Sequence, residues 1–184
     1  MLTVPVLLGS VRRGRQSVKV ARFAAAGLNA AGHTSEIMDL ADFDFPIMEE
    51  RLRMRDDPPD RLQQCSDQLR AADAVVVVSP EYNGGVPGVL KNALDYLSTE
   101  WAKTPVGIIS VSAGGFGGVQ AQSQLQLHFL RVKALPIASM AVSNVGKSFA
   151  EDGAANEERY DRAFTKFLDT LTWYAKTMKS AAEQ

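Results

Sequence analysis

Apolar positions along this chain fall into runs whose period keeps switching between that of a strand and that of a helix. The clearest switch begins at Ala74-Val75-Val76-Val77-Val78, an unbroken β-branched run suited to a strand covered on both faces inside a parallel sheet. The run stops at Ser79-Pro80 and gives way to a polar loop with Glu81, Tyr82, Asn83 and two glycines. Val86, Val89, Leu90, Ala93, Leu94 and Leu97 then recur at i, i+3, i+4, i+7, i+8 and i+11, which is helical spacing, with Pro87 suited to the first turn. Strand, polar loop, helix is the predicted order, and in open α/β sheets ligands bind where strands end.

The rest of the chain repeats the theme. Thr3 to Leu8 reads as a first buried strand closed by Gly9-Ser10, although Pro5 is a mild objection. A helix follows from Ser17, its apolar face made by Ala21, Ala24, Ala25 and Leu28 and its end marked by Gly32. Thr34 to Leu40 predicts a second strand. Ala41 to Pro59, with Pro46, Pro58 and Pro59, predicts a long loop with at most one helical turn, a length typical of a binding or lid element. Asp60 as N-cap with Gln63 three residues on resembles a capping box for a helix carrying Leu62, Cys65 and Leu69.

Pro105 to Val111 predicts a further strand ending in Ser112-Ala113-Gly114-Gly115-Phe116-Gly117-Gly118, a loop whose backbone must approach something closely. Val119 to Val132 reads as helix, and Leu135 to Val142 as a last strand broken early by Pro136. A final helix has Tyr160, Phe164, Phe167, Leu168, Leu171 and Met178 on one stripe, with Asn156 as its cap. Five strands alternating with helices predict an α/β fold over residues 1–184. The expected form is one flavodoxin-like, doubly wound, five-stranded parallel sheet with helices on both faces.

Charge narrows the function. With 20 basic and 21 acidic residues the net charge is −1, so no field marks a nucleic-acid or membrane binder, and a small-molecule ligand is expected. One cysteine, Cys65, cannot form an internal disulfide or ligate an iron–sulfur cluster, and His33 and His128 are too few for a usual zinc site. An intracellular, cytoplasmic, metal-free protein is the expectation. Ser10, Ser17, Ser79 and Ser112 lack a plausible histidine partner, which disfavours a serine hydrolase.

In the predicted strand order the first, third and fourth strands are neighbours, so the loops Gly9–Ser17, Pro80–Gly85 and Ser112–Gly118 converge on one site. The first offers hydroxyls, arginines and free amides at a helix N-terminus, which suits an anion, and Arg12 can grip a phosphate through two parallel N–H bonds. The competing reading is a solvated surface turn. Gly9 and Gly14 have Walker A spacing, but Arg15-Gln16 replaces the required Lys-Ser/Thr, and there is no G-x-G-x-x-G for a Rossmann site. In the second loop Glu81 is expected to hold the loop by accepting backbone amides rather than to move protons, and Tyr82 either stacks on a ring or plugs the sheet edge. The third supplies only backbone N–H and C=O groups, which suit a flat heteroaromatic ring. Cys65 reads as an inert core residue and His128 as part of a helix surface or subunit contact.

Gly9-Ser10-Val11-Arg12 with Ser17, together with Pro80-Glu81-Tyr82-Asn83-Gly84-Gly85-Val86-Pro87-Gly88-Val89-Leu90-Lys91-Asn92-Ala93-Leu94-Asp95, resembles the NADPH-dependent FMN reductase family, which includes quinone, azo-dye and chromate reductases. The resemblance runs from about Thr3 to Val142. It implies non-covalently bound FMN. Ser10, Arg12, Gln16, Ser17 and the Val18 amide would hold the phosphate, with Pro80, Glu81, Tyr82, Asn83 and Gly84 along the ribityl chain and one ring edge, and Ser112, Ala113, Gly114 and Gly115 at the pyrimidine edge. Arg13-Gly14-Arg15-Gln16 departs from the family in being more basic, and Arg13 or Arg15 is a candidate for the 2′-phosphate of NADPH.

The resemblance also implies hydride transfer from NADPH or NADH to FMN and on to a flavin, quinone, azo compound or metal oxyanion, with no side-chain catalyst, in a homodimer or homotetramer. The rival expectations are a flavodoxin-type electron carrier, for which a net charge of −1 lacks the usual acidic docking face, and a non-enzymatic nucleotide-binding regulator.

Overall fold

The computed structural model describes residues 1–182. Among them five parallel strands, β1 (Val6–Leu8), β2 (Ile37–Asp39), β3 (Val75–Pro80), β4 (Pro105–Val111) and β5 (Leu135–Val142), stand in the order β2-β1-β3-β4-β5. That is the flavodoxin-like order expected. Among the same residues seven helices connect and cover the strands: α1 (Ser17–Ala30), α2 (Leu40–Phe43), α3 (Asp60–Arg70), α4 (Gly88–Tyr96), α5 (Val119–Arg131), α6 (Val145–Ser148) and α7 (Glu158–Ala182).

The valine run is buried on both faces because alternate residues enter different cores. Val76 and Val78 pack with Val20, Ala24, Phe164 and Leu171 of α1 and α7, whereas Val75 and Val77 pack with Leu62, Leu90, Leu125 and Phe129 of α3, α4 and α5. Register fixes where the loops emerge. Leu8 pairs with Val78 and Val78 with Ile109, so the loops after β1, β3 and β4 leave one edge of the sheet side by side.

Several boundaries differ from expectation for local reasons. β1 is shorter than Thr3–Leu8 because Pro5 brings no N–H to the ladder, leaving Thr3 in an isolated bridge to Thr34; β2 likewise contracts to three residues. Asp60 is the first residue of α3 rather than its cap, since Pro59 takes the cap position with an extended ψ of 134°. Pro87 caps α4 in the same manner, at ψ 139°. Asn156 lies outside α7, its Nδ2 donating to the Lys147 carbonyl at 2.8 Å. Pro136 does not break β5. It sits on an edge strand, where Val106 pairs with Pro136 and Gly107 with Ala138, so the irregularity is one extra residue, Ile137. The segment 41–59 holds two turns rather than one, α2 and a 3₁₀ turn at Leu52–Met54. Among the described residues no helix is long and apolar enough to cross a membrane.

Candidate functional site

At the edge where β1, β3 and β4 end, the three loops enclose a cleft of ≈ 180 Å³. Its lining comprises Arg12, Arg15, Gln16 and Ser17 from the first loop, Pro80, Glu81 and Tyr82 from the second, Val111 at the end of β4, Ser112 and Ala113 from the third loop, and Val145 from α6. Of the other residues singled out from sequence, Ser10 is buried and does not line the cleft, Val18 is at the second position of α1, and Asn83, Gly84, Gly114 and Gly115 belong to the rim loops without lining the cleft itself.

The first loop ends in a helix start left open on its positive side. Gln16 occupies the cap position but makes no side-chain capping bond, its Nε2 turning back to the Gly14 carbonyl at 3.2 Å, and the first turn of α1 contains no acidic residue. Ser17 is 2% exposed, and its Oγ has no hydrogen-bond partner among the described residues. A buried unpaired hydroxyl costs stability unless something arrives to satisfy it. The helix amides and macrodipole favour an anion in that role.

Arg12 projects to solvent above Tyr82, its guanidinium carbon 5.8 Å from the ring centroid, while the Tyr82 hydroxyl shares a 2.6 Å hydrogen bond with Ser10 Oγ. The Ser10 hydroxyl is thus engaged with Tyr82, and through it the first and second loops are joined. Arg15 folds inward, donating to the Ser10 carbonyl and to both carboxylate oxygens of Asp39.

Asn83 and Gly84, at φ 52° and 77°, form the centre of a two-residue turn in which Tyr82 and Gly85 exchange backbone hydrogen bonds of 2.9 and 3.1 Å. Asn-Gly is the pair that tolerates this geometry. Glu81 Oε2 accepts from the Gln120 and Ala121 amides at 2.9 and 3.3 Å, tying the loop to the N-terminus of α5. That is the anchoring role expected for it, with amides of a distant helix as the donors.

The glycine loop is held from behind. Ser112 Oγ donates to the Gly114 carbonyl and accepts from the Gly117 amide, and the Asn144 and Val145 amides donate to the Gly114 and Ser112 carbonyls. Gly118 must be glycine: a Cβ there would lie 3.0 Å from the Val111 backbone at φ +75°. A Cβ added at Gly114 or Gly115 would meet nothing within 4 Å, so this part of the backbone faces open space.

Val145 and the framing contacts of Arg15 are what sequence reasoning missed. Val145 follows the fifth strand, whose end carries no signal linking it to the other three loops, and the contacts of Arg15 depend on a carboxylate 24 residues away.

Elsewhere Cys65 is fully buried, and burial first, with Glu100 second, pushes its thiol up to about 12. His128 is held below its ordinary value by burial, with Lys91 adding to the effect.

Comparison with known proteins gives a consistent picture. The family model described as NADPH-dependent FMN reductase matches residues 2–147. A quinone reductase of Pseudomonas putida is 31% identical over 182 residues, covering 95% of each chain. An NAD(P)H-dependent FMN reductase of Pseudomonas aeruginosa is 30% identical over 177 residues, 93% of this chain and 94% of that one. Among solved structures, the flavoenzyme NAD(P)H:(acceptor) oxidoreductase FerB of Paracoccus denitrificans superposes with a TM-score of 0.79 at 25% identity, covering 97% of this chain and 99% of that one.

Proposed function

The chain belongs to the NADPH-dependent FMN reductase family and is an FMN-dependent oxidoreductase with NAD(P)H as donor; from that premise we propose that the cleft at the ends of β1, β3 and β4 is where this chain binds FMN. The observation that carries the assignment is Ser17, a buried hydroxyl without a partner among the described residues at the open N-terminus of α1, lining the same cleft as the exposed Arg12. A phosphate dianion satisfies the hydroxyl, the helix amides and the cation together, so the residues present fit the cofactor.

In this reading Arg12, Gln16, Ser17 and the Val18 amide hold the phosphate. Ser10 supports them through Tyr82. The turn from Tyr82 to Gly84 runs along the ribityl chain, and the backbone from Ser112 to Gly115 meets the polar ring edge with N–H and C=O groups. Bound FMN supplies a two-electron centre that accepts hydride from a nicotinamide and reduces an acceptor. The protein contributes position and preorganised dipoles, because the Asn144, Val145 and Gly117 amides fix the glycine loop in advance. Glu81 is a strut between loop and α5.

Acceptors are small oxidants, with quinones the first to test because the relatives include quinone reductases matched over almost their full length. The same relatives leave a flavodoxin-type carrier without support. Self-association as a homodimer or homotetramer is part of the proposal, supported by Phe116, Val119, Leu127 and Leu130, large apolar residues left exposed on the glycine loop and α5. Light scattering that gives a monomer at micromolar concentration would remove that part.

The test is direct. Purified protein reconstituted with FMN should be yellow, bleach anaerobically on adding NADPH or NADH, and recover its colour with a quinone. Protein that stays colourless after incubation with FMN sinks the assignment.

A further inference from the structure

We infer that Arg15, held by Asp39, is a positioning residue that shapes the phosphate-binding loop of the site proposed above and makes no contact with the phosphate. The inference rests on that reading of the cleft and adds the residue that holds its loop in shape.

The loop from Gly9 to Gln16 is a poor candidate for rigidity on its own. Its Arg12 and Arg13 are exposed, Gly14 turns at φ +70°, and among the described residues the one backbone–backbone bond closing it is Arg15 N–H to the Arg12 carbonyl at 3.1 Å, supplemented by the Arg12 amide to Ser10 Oγ at 3.4 Å and Gln16 Nε2 to the Gly14 carbonyl at 3.2 Å. Arg15 supplies the missing frame. Its Nη1 donates to the Ser10 carbonyl, where the chain leaves β1, and to Asp39 Oδ1 at 2.7 Å, while Nη2 donates to Asp39 Oδ2. One side chain therefore joins two points of the loop, five residues apart, to the end of a neighbouring strand.

Asp39 is itself fixed. It pairs with Leu8 in the β1–β2 ladder, and its Oδ1 also accepts from the Ala41 amide at 3.0 Å as the cap of α2. The two side chains are 18% and 17% exposed, far less open to solvent than a typical surface pair, and the two-pronged geometry is one that lysine cannot reproduce.

The charge balance fits positioning better than direct contact. Arg15 is neutralised by Asp39, so it brings no net positive charge to the cleft, and attraction for a dianion falls to Arg12 and the α1 amides. This gives an opposite sign to two readings of one substitution. If Arg15 waits to touch the phosphate, Asp39→Asn frees its guanidinium, deletes a nearby negative charge and tightens FMN binding. If Arg15 frames the loop, Asp39→Asn loosens the loop and weakens FMN binding, because the loop must then be ordered on binding.

The test is equilibrium titration of the apoprotein with FMN and with riboflavin, which lacks the phosphate, for Arg15→Met, Arg15→Lys, Asp39→Asn and the Arg15→Met/Asp39→Asn double variant. We expect FMN to bind about tenfold more weakly in each single variant, lysine included, the double variant to be no worse than either, and riboflavin to move less than about twofold. Tighter or unchanged FMN binding in Asp39→Asn overturns the inference. So does an equal loss for riboflavin, which marks general damage to the fold; Asp39→Asn guards against a misfolded Arg15→Met. Arg12→Ala and Ser17→Ala separate the two levels: if they too fail to discriminate FMN from riboflavin, the phosphate lies elsewhere and the reading of the cleft fails, whereas selective loss there without loss in Asp39→Asn defeats the Arg15 role alone.

Discussion

Replacing Ser17 by alanine should move stability and cofactor affinity in opposite directions. Among the described residues the Ser17 hydroxyl is buried and unpaired, so its removal relieves a desolvation penalty, and alanine is the better helix residue at a position where serine makes no capping bond. A gain of about 1 kcal/mol is expected, equivalent to about 2–4 °C in Tm for a chain of this size. With FMN bound the same hydroxyl donates to a phosphate oxygen, a charge-assisted bond worth about 1.5–3 kcal/mol. Losing it should weaken FMN binding roughly 10- to 150-fold. Calorimetry of the apoprotein and fluorescence titration with FMN measure the two quantities separately, and the rise in Tm produced by saturating FMN should shrink accordingly. An apoprotein destabilised by the substitution, together with an unchanged FMN dissociation constant, would show that the hydroxyl is structural and does not meet the phosphate.

Other outcomes follow from single contacts. Gly107→Ala drives a methyl group into the Phe167 ring, so it should cost about 1–3 kcal/mol through forced repacking of α7 while leaving FMN affinity alone; a melt identical to wild type contradicts the packing described. Glu81→Gln keeps an acceptor for the α5 amides and should retain turnover within about threefold, whereas a loss of about a hundredfold or more with FMN still bound would mark Glu81 as a proton-transfer group. Arg13 is exposed and Arg15 is engaged with Asp39, so Arg13→Ala should raise KM for NADPH and leave KM for NADH unchanged; equal effects on both exclude recognition of the 2′-phosphate by Arg13. Cys65 is raised from 9.0 to about 12, so the unfolded chain loses its thiol proton first. Stability from this group is full below pH 9 and falls as pH rises toward 12, by up to about 1.4 kcal/mol per pH unit; chemical denaturation of Cys65→Ala should show a shallower alkaline decline, and an identical decline would remove Cys65 as its cause.

The strands and helices were legible from local signals, and the strand order and convergence of three loops followed from the handedness of parallel crossovers. A β-branched run of four valines admits little but a doubly covered strand, and glycine clusters mark where backbone approaches backbone. Element ends were less legible. At Pro59, Pro87 and Asn156 several residues have suitable chemistry for a helix start, and neighbouring prolines or a distant carbonyl decide between them. Glu81 shows an intermediate case, since its need for amide donors was readable but their origin on α5 was not. Arg15 and Val145 mark the limit, because their roles are created by Asp39 on β2 and by the turn after β5, which only folding brings to the same edge. The surplus of arginine in the first loop, three in four residues from Arg12 to Arg15, was the one clue that not all of them could serve the ligand.

Whether three loops form one cofactor site, with the phosphate at the start of α1, is decided by a crystal structure of this protein with FMN. Phosphate oxygens should lie within about 3.2 Å of Ser17 Oγ and the Val18 amide, with the ring edge against the backbone from Ser112 to Gly115. A phosphate bound anywhere else, with Ser17 Oγ still unpaired, would contradict the assignment.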